Sequence, residues 1–269
     1  MKNLSKLTAL ALSGVLALSL AACGGSGTAS TPAPETSAPG TPAPETAAPA
    51  GETAYTVGIC QLAPHVALDA ATEGFMDAIN EALPGQVKFD LQNAAGDSPT
   101  CATIVNGFVS ADVDLIMANA TPALQAAASA TGDIPVLGTS VTEYGVALGI
   151  DGFTGTVGTN VSGTSDLAPL DQQAAMIQEW YPDAQTVGLL YCSAEPNSQY
   201  QVDEVQKYLE EKGVTVTQYA FSDSNDLSSV CQKAADENDA LYVPTDNTVA
   251  ANTGIVDGIC RPAKKPVFA

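Results

Sequence analysis

Beyond residue 54 the chain alternates short apolar runs with longer stretches in which apolar residues recur every three or four positions. Short runs bounded by turn residues read as buried strands, and the longer pattern reads as helices with one apolar stripe. Thr56-Val-Gly-Ile-Cys-Gln61 is the first predicted strand, and residues 68–83 then place Leu68, Ala71, Phe75, Ala78, Ile79 and Ala82 on one helical face. Further strands are predicted at 87–91, 114–118, 135–138 and 146–150. Helices are predicted over 100–110 and from Thr121-Pro122 onward, with Thr121 as N-cap and Pro122 as the first helical residue. Strands that lack polar alternation and feed into helices indicate a parallel sheet covered on both faces.

The pattern then starts again. Thr186-Val-Gly-Leu-Leu-Tyr-Cys192 echoes Thr56-Val-Gly-Ile-Cys60, and Lys265-Pro-Val-Phe268 matches Ile134-Pro-Val-Leu137. Between them lie predicted helices at 198–212 and 227–236 and strands at 214–221 and 240–243. The fold class expected is α/β, with two Rossmann-like lobes built on parallel sheets, the first over residues 55–160 and the second over 161–269. A single larger α/β domain is the alternative. The second set stops inside the strand that corresponds to the fourth strand of the first, so the second lobe is expected to be truncated at its C-terminus.

The first 54 residues are of another kind. Residues 1–22 carry Lys2 and Lys6, then an apolar stretch from 7 to 20, and no acid. This has the form of a secretory signal and is short for a membrane span. It ends in Leu20-Ala-Ala-Cys-Gly24, which resembles a bacterial lipobox; the resemblance implies cleavage before Cys23 and a lipid anchor through that residue. An ordinary signal peptide cut after Ala22 is the alternative. Residues 23–54 are rich in Pro, Thr, Ala and Glu, with Thr31-Pro-Ala-Pro-Glu-Thr36 repeated as Thr41-Pro-Ala-Pro-Glu-Thr46. Such a composition cannot offset the entropy of folding and is expected to form a disordered tether. The expected location is the cell membrane, lipid-anchored and facing outside the cytoplasm.

Composition narrows the chemistry. Thirty acidic side chains against nine basic ones give a formal charge of −21, which argues against a nucleic-acid partner, because phosphate binding needs clustered Lys and Arg. One histidine and six cysteines with no C-x-x-C pair leave no zinc-site spacing, so neither metal nor cofactor is expected. Cys60, Cys101, Cys192, Cys231 and Cys260 either fill core space as small apolar residues or form one or two bridges; both readings stay open. No nucleophile signature surrounds any of them, so no enzyme activity is expected.

A resemblance adds to this reading. In order along the chain stand Val57-Gly-Ile-Cys-Gln61, Leu68-Asp-Ala-Ala-Thr-Glu-Gly-Phe75, Met117-Ala-Asn-Ala-Thr-Pro-Ala123, Gly138-Thr-Ser-Val-Thr142, Asn160-Val-Ser-Gly-Thr-Ser165, Ser193-Ala-Glu-Pro-Asn-Ser198 and Val243-Pro-Thr-Asp-Asn-Thr248. Together they resemble bacterial ABC-transporter substrate-binding lipoproteins of the tryptophan/tyrosine-type subfamily. The resemblance implies a type I periplasmic-binding fold that closes on a small-molecule ligand, a monomer, and delivery to an ABC permease. The subfamily implies an aromatic amino acid. The same fold binding a sugar or nucleoside, and a lipoprotein sensor without a permease, are the alternatives.

In such sheets ligands bind at the carboxyl ends of the strands, which selects the candidate ligand-binding residues. A ligand carboxylate suits a helix start, so Thr121 is a candidate, with Asn119 before it and the Ser140 and Thr142 hydroxyls after the fourth strand. An ammonium needs a carboxylate: Asp246 is the first choice and Glu195 the second, flanked by Ser193, Asn197 and Asn247. Gln61 and His65 follow the first strand at the cleft rim, where the imidazole could pack on an aromatic ligand. Asp69 is expected to cap the helix that begins beside it.

Overall fold

The computed structural model describes residues 54–269; the expected signal peptide, lipidated Cys23 and tether all fall outside the described residues, apart from Ala54. Two parallel sheets carry the chain. The first is ordered β2-β1-β3-β4-β5, from strands β1 (Tyr55–Gln61), β2 (Val87–Asn93), β3 (Leu115–Asn119), β4 (Val136–Val141) and β5 (Val161–Ser165). The second is ordered β7-β6-β8-β9, from β6 (Thr186–Cys192), β7 (Thr215–Phe221), β8 (Ala240–Tyr242) and β9 (Val267–Phe268). In each lobe the first strand to be made is flanked by the second and third, so the two orders superimpose strand for strand.

The repeat extends to side chains. Asp114, just before β3, accepts the Thr56 amide at 2.7 Å. Asp239, just before β8, accepts the amides of Gln185 and Thr186 and the Thr186 hydroxyl at 2.9–3.0 Å. Each Asp thus ties the start of its lobe's central strand to the strand that will line up beside it. These donated bonds hold the Asp239 carboxyl below its ordinary range.

Helices α1 (Val66–Ala82), α2 (Ser98–Ser110), α3 (Thr121–Ala130) and α4 (Tyr144–Leu148) cover the first sheet; α5 (Leu170–Trp180), α6 (Pro196–Glu211), α7 (Ser224–Glu237), α8 (Asn247–Ala251) and α9 (Thr253–Ala263) belong to the second lobe. Burial explains the strand composition. Ile59, Cys60, Ile116 and Ala118 are fully buried in the first lobe, and Val187, Leu189, Leu190 and Leu241 in the second, as strands covered on both faces require.

Three expectations are corrected. The apolar run at 146–150 is not a strand: Glu143 caps Val146 and Gly149, at φ 65°, ends a five-residue helix there. The fifth strand is instead Val161–Ser165, which pairs with β4, so the first sheet continues five residues beyond the boundary expected at 160/161. Asp69 does not cap α1; His65 does, accepting the Ala67 amide.

An edge strand of Val-Ser-Gly-Thr-Ser reaches this place because Gly163 lets it. Tyr144 donates its hydroxyl to Gly138 O and Thr164 O at 3.0 and 3.2 Å, drawing the two strands together under the ring. A methyl group on Gly163, whose φ is +154°, would overlap the Gly138 carbonyl and the Tyr144 hydroxyl. Gly163→Ala is therefore expected to destabilise the fold by about 1–3 kcal/mol, read as a lower chemical-denaturation midpoint.

Candidate functional site

The chain passes from β5 to α5 over residues 166–169, and the carboxyl ends of both sheets face a cavity of about 660 Å³. From the first lobe it is lined by His65, Leu68, Ser140, Thr142 and Asp166, and from the second by Asn197, Val243, Thr245, Asp246 and Asn247, with Val256, Cys260 and Arg261 of α9 closing one side. A smaller depression of about 340 Å³ adjoins it across Asn247, between Pro64 and Pro122 on one wall and Cys192, Glu195 and Thr248 on the other.

Two carboxylates organise the second-lobe wall. Glu195, only 4% exposed, accepts the Asn247 amide and side chain through one oxygen and the Thr248 amide and hydroxyl through the other, at 2.7–3.0 Å. Asp246, 3% exposed, accepts the Cys192 amide at 2.7 Å and caps α8 by accepting the Val249 amide at 2.8 Å. Between them they bind the loop after β6 to the loop after β8. Asp246 is pushed up to about 6, first by burial and then by the neighbouring Glu195 charge. Among the described residues, ion pairs join only Lys207 to Glu204 and Arg261 to Asp257, so no protein cation neutralises this pair.

Asn197 lies against the same wall. Its amide group donates to Thr245 O at 3.0 Å, which leaves its buried Oδ1 without a donor. On the facing wall, burial raises the Asp166 carboxyl and a bond from the Thr142 hydroxyl opposes that rise. Ser140 holds a left-handed φ of 54° beside it, a conformation uncommon for a residue with a side chain.

The predicted residues thus divide. His65, Ser140, Thr142, Asn197, Asp246 and Asn247 come together on the cavity wall. Glu195 lies directly behind, touching the adjoining depression. Gln61 and Asn119 do not line the cavity; they buttress α1. Gln61 donates to Ala63 O and Asp69 and accepts the Thr72 hydroxyl, while Asn119 donates to Leu68 O and Thr72. Ser193 donates to Phe221 O at 3.1 Å and lies outside the cavity.

Thr121 is not the N-cap of α3. Ala120 is, at φ 90°, and it offers no side-chain bond, so the first amides of α3 have no cap. Thr121 itself is buried, one residue into the helix, and Pro122 reaches the adjoining depression. Sequence reading missed Asp166, Thr245 and the α9 wall. Asp166 could have been found as the one carboxylate in the Ser/Gly/Thr run where the chain leaves the first lobe.

With the geometry in place, the chain can be compared with known proteins. It is 36% identical over 216 residues to a tyrosine-binding protein of Clostridioides difficile (strain R20291), an alignment that covers 79% of this chain and 62% of that protein. The chain therefore spans somewhat under two thirds of that relative's length. Among solved structures, an ABC domain from Streptococcus pneumoniae in complex with L-Trp superimposes with a TM-score of 0.75 at 35% identity, covering 80% of this chain and 73% of that one. A ligand-free, open substrate-binding protein with adhesive properties from Clostridium difficile is 39% identical over 80% of this chain and 74% of its own, with a TM-score of 0.56. The family model for ABC transporter substrate binding proteins matches residues 56–269. With that match over two parallel-sheet lobes and the cavity between them, the chain belongs to the ABC transporter substrate binding protein family, a family of solute-binding proteins.

Proposed function

We propose that this protein is the extracytoplasmic substrate-binding component of an ABC transporter, tethered to the membrane by a lipid on Cys23, and that it captures an aromatic α-amino acid between its lobes for delivery to a permease. One observation carries the ligand class: Asp246 at the cavity wall and Glu195 directly behind it are adjacent buried carboxylates, and among the described residues no Lys or Arg pairs with either. Buried charge requires a partner. An α-ammonium supplies one, and the unpartnered Asn197 Oδ1 is a further acceptor for it.

The rest of an amino acid finds matching surfaces. Its carboxylate is assigned to the first-lobe wall, where the Ser140 and Thr142 hydroxyls line the cavity, with the uncapped start of α3 at Thr121 reaching only the adjoining depression through Pro122. Leu68, Val243, Val249 and Val256 give the side chain an apolar bed, with His65 at its edge. Tyrosine and L-Trp, the ligands of the two relatives named above, fit this division of polar and apolar walls. A thermal-shift screen of the twenty amino acids, common sugars and nucleosides tests the reading. Stabilisation by tyrosine or tryptophan is expected, and stabilisation by a sugar or nucleoside alone would overturn it.

Titration of Asp246 gives a second handle. Its folded value of about 6 lies above the ordinary 3.8, so its contribution to stability without ligand is full below about pH 4 and is lost as pH rises through 6. Ammonium binding needs the ionised form and has the opposite slope. Affinity is expected to fall about tenfold from pH 7 to pH 5, while unliganded stability rises over the same interval, as measured by calorimetry and thermal melting in parallel.

A further inference from the structure

We propose that Cys231 and Cys260 form a disulfide bridge that ties α9 to α7 and thereby fixes the apolar wall of the interlobe cavity. The two sulfurs lie 3.9 Å apart, from residues 29 positions apart in sequence, and both side chains are buried in one cluster with Leu227, Ala234 and Val256. Closing the gap to the ~2.05 Å of a sulfur–sulfur bond requires a shift of about 2 Å, within reach of side-chain rotation and small helix adjustment.

The helix that would be tied is poorly suited to hold itself. α9 contains Gly254, Gly258 and Pro262, and Asn252 before it supplies no side-chain cap. Each of these features weakens a helix. Yet α9 presents Val256, Cys260 and Arg261 to the cavity, so its position sets the shape of the site. A covalent tie to α7, whose Leu227 and Cys231 are fully buried, supplies the constraint that intrinsic helix propensity lacks.

The inference rests on the extracytoplasmic reading, because disulfides form and persist on the oxidising side of a membrane. The chemistry balances with an external disulfide as oxidant, either a small molecule or a thiol–disulfide oxidoreductase. One cysteine thiolate attacks that disulfide and expels a thiolate. The second cysteine thiolate then attacks the mixed disulfide, forms the Cys231–Cys260 bond and expels a second thiolate. The two cysteines lose two electrons, the oxidant becomes two thiols, and the cysteine protons pass to solvent. Burial pushes the Cys231 thiol up to about 12 and raises Cys260 as well, so the reduced pair is inert in the folded protein. The bridge therefore forms while α9 is still undocked.

The test uses the full chain in two arms: extracted from the membranes of an expressing host without reductant, and refolded from the reduced, denatured state with oxidised glutathione. Each sample is denatured in N-ethylmaleimide, digested and analysed by mass spectrometry. A cross-linked pair of peptides carrying Cys231 and Cys260, released by reductant, is expected in both arms. Maleimide on both residues in both arms, or bonding of either to a different cysteine, would overturn the bridge. Bridging in the refolded arm alone would overturn the extracytoplasmic reading, and with it the bridge as a property of the protein in the cell. Reductant is expected to lower the melting temperature of the bridged protein by roughly 5–10 °C. The double variant C231S/C260S is expected to show no such response; an equal response would assign the shift to another pair.

Discussion

Replacing Asp246 with alanine is expected to weaken binding of L-tryptophan or L-tyrosine by roughly ten- to a hundred-fold, the range for loss of a charge-assisted hydrogen bond. The carboxylate has two duties. It accepts the Cys192 and Val249 amides, and it supplies negative charge that, among the described residues, no Lys or Arg pairs with. Alanine removes both, leaving two donors exposed to a hydrophobic surround, so some loss of stability accompanies the loss of affinity. The two effects separate on measurement. Calorimetry at a temperature where melting shows the variant fully folded reports the ligand contribution alone, and unchanged affinity there would remove Asp246 from the ammonium site.

Glu195→Ala is expected to act mainly through the fold, lowering stability by about 3 kcal/mol, or on the order of 10 °C in melting temperature. Its two oxygens accept four bonds from Asn247 and Thr248, and without them the first turn of α8 has orphaned amides beneath the site. Its charge is also the second cause, after burial, of the raised Asp246 value. Removing it should move the midpoint of the pH dependence of binding to lower pH. A structural role alone would weaken binding without moving that midpoint, so the titration distinguishes a bracing residue from one that shapes the charge of the site.

The parts of this architecture that follow local rules could be read from sequence. Thr56-Val-Gly and Thr186-Val-Gly do open the central strands of two sheets, because an apolar run covered on both faces tolerates little polar substitution. The helix starts that follow those strands carry the cavity residues His65 and Asn197, as strand polarity requires. Where tertiary contacts overrule local pattern, sequence reading failed. The run Val146-Ala-Leu has no period long enough to separate strand from helix, and the cap at Glu143 with Gly149 decides for helix. The edge strand 161–165 carries almost no apolar signal, since only Val161 is buried; its place is set by close approach at Gly163. α9 was hidden by two glycines and a proline, and forms because Val256 and Cys260 dock on the lobe core.

The candidate site was legible by residue type but not by direction. Asp246 and Glu195 stood out as carboxylates beside the strand ends, yet nothing local shows that both point inward, each to accept its own pair of backbone amides. Gln61 and Asn119 have the same placement after β1 and β3 and are consumed by bonds to Thr72 and α1. Which of several polar residues at a strand end faces the cavity depends on such competition for partners, which is a property of the folded chain.

The proposed ammonium site can be tested by comparing L-tryptophan with its deamino analogue, indole-3-propionate, in calorimetric titrations of the same protein at pH 7. The two share the indole and the carboxylate and differ in the charged group assigned to Glu195 and Asp246. The analogue is expected to bind at least ~100-fold more weakly, since it leaves the paired carboxylates uncompensated and brings no donor to Asn197. Equal affinity for the two compounds would contradict the assignment of an α-amino acid to this cavity.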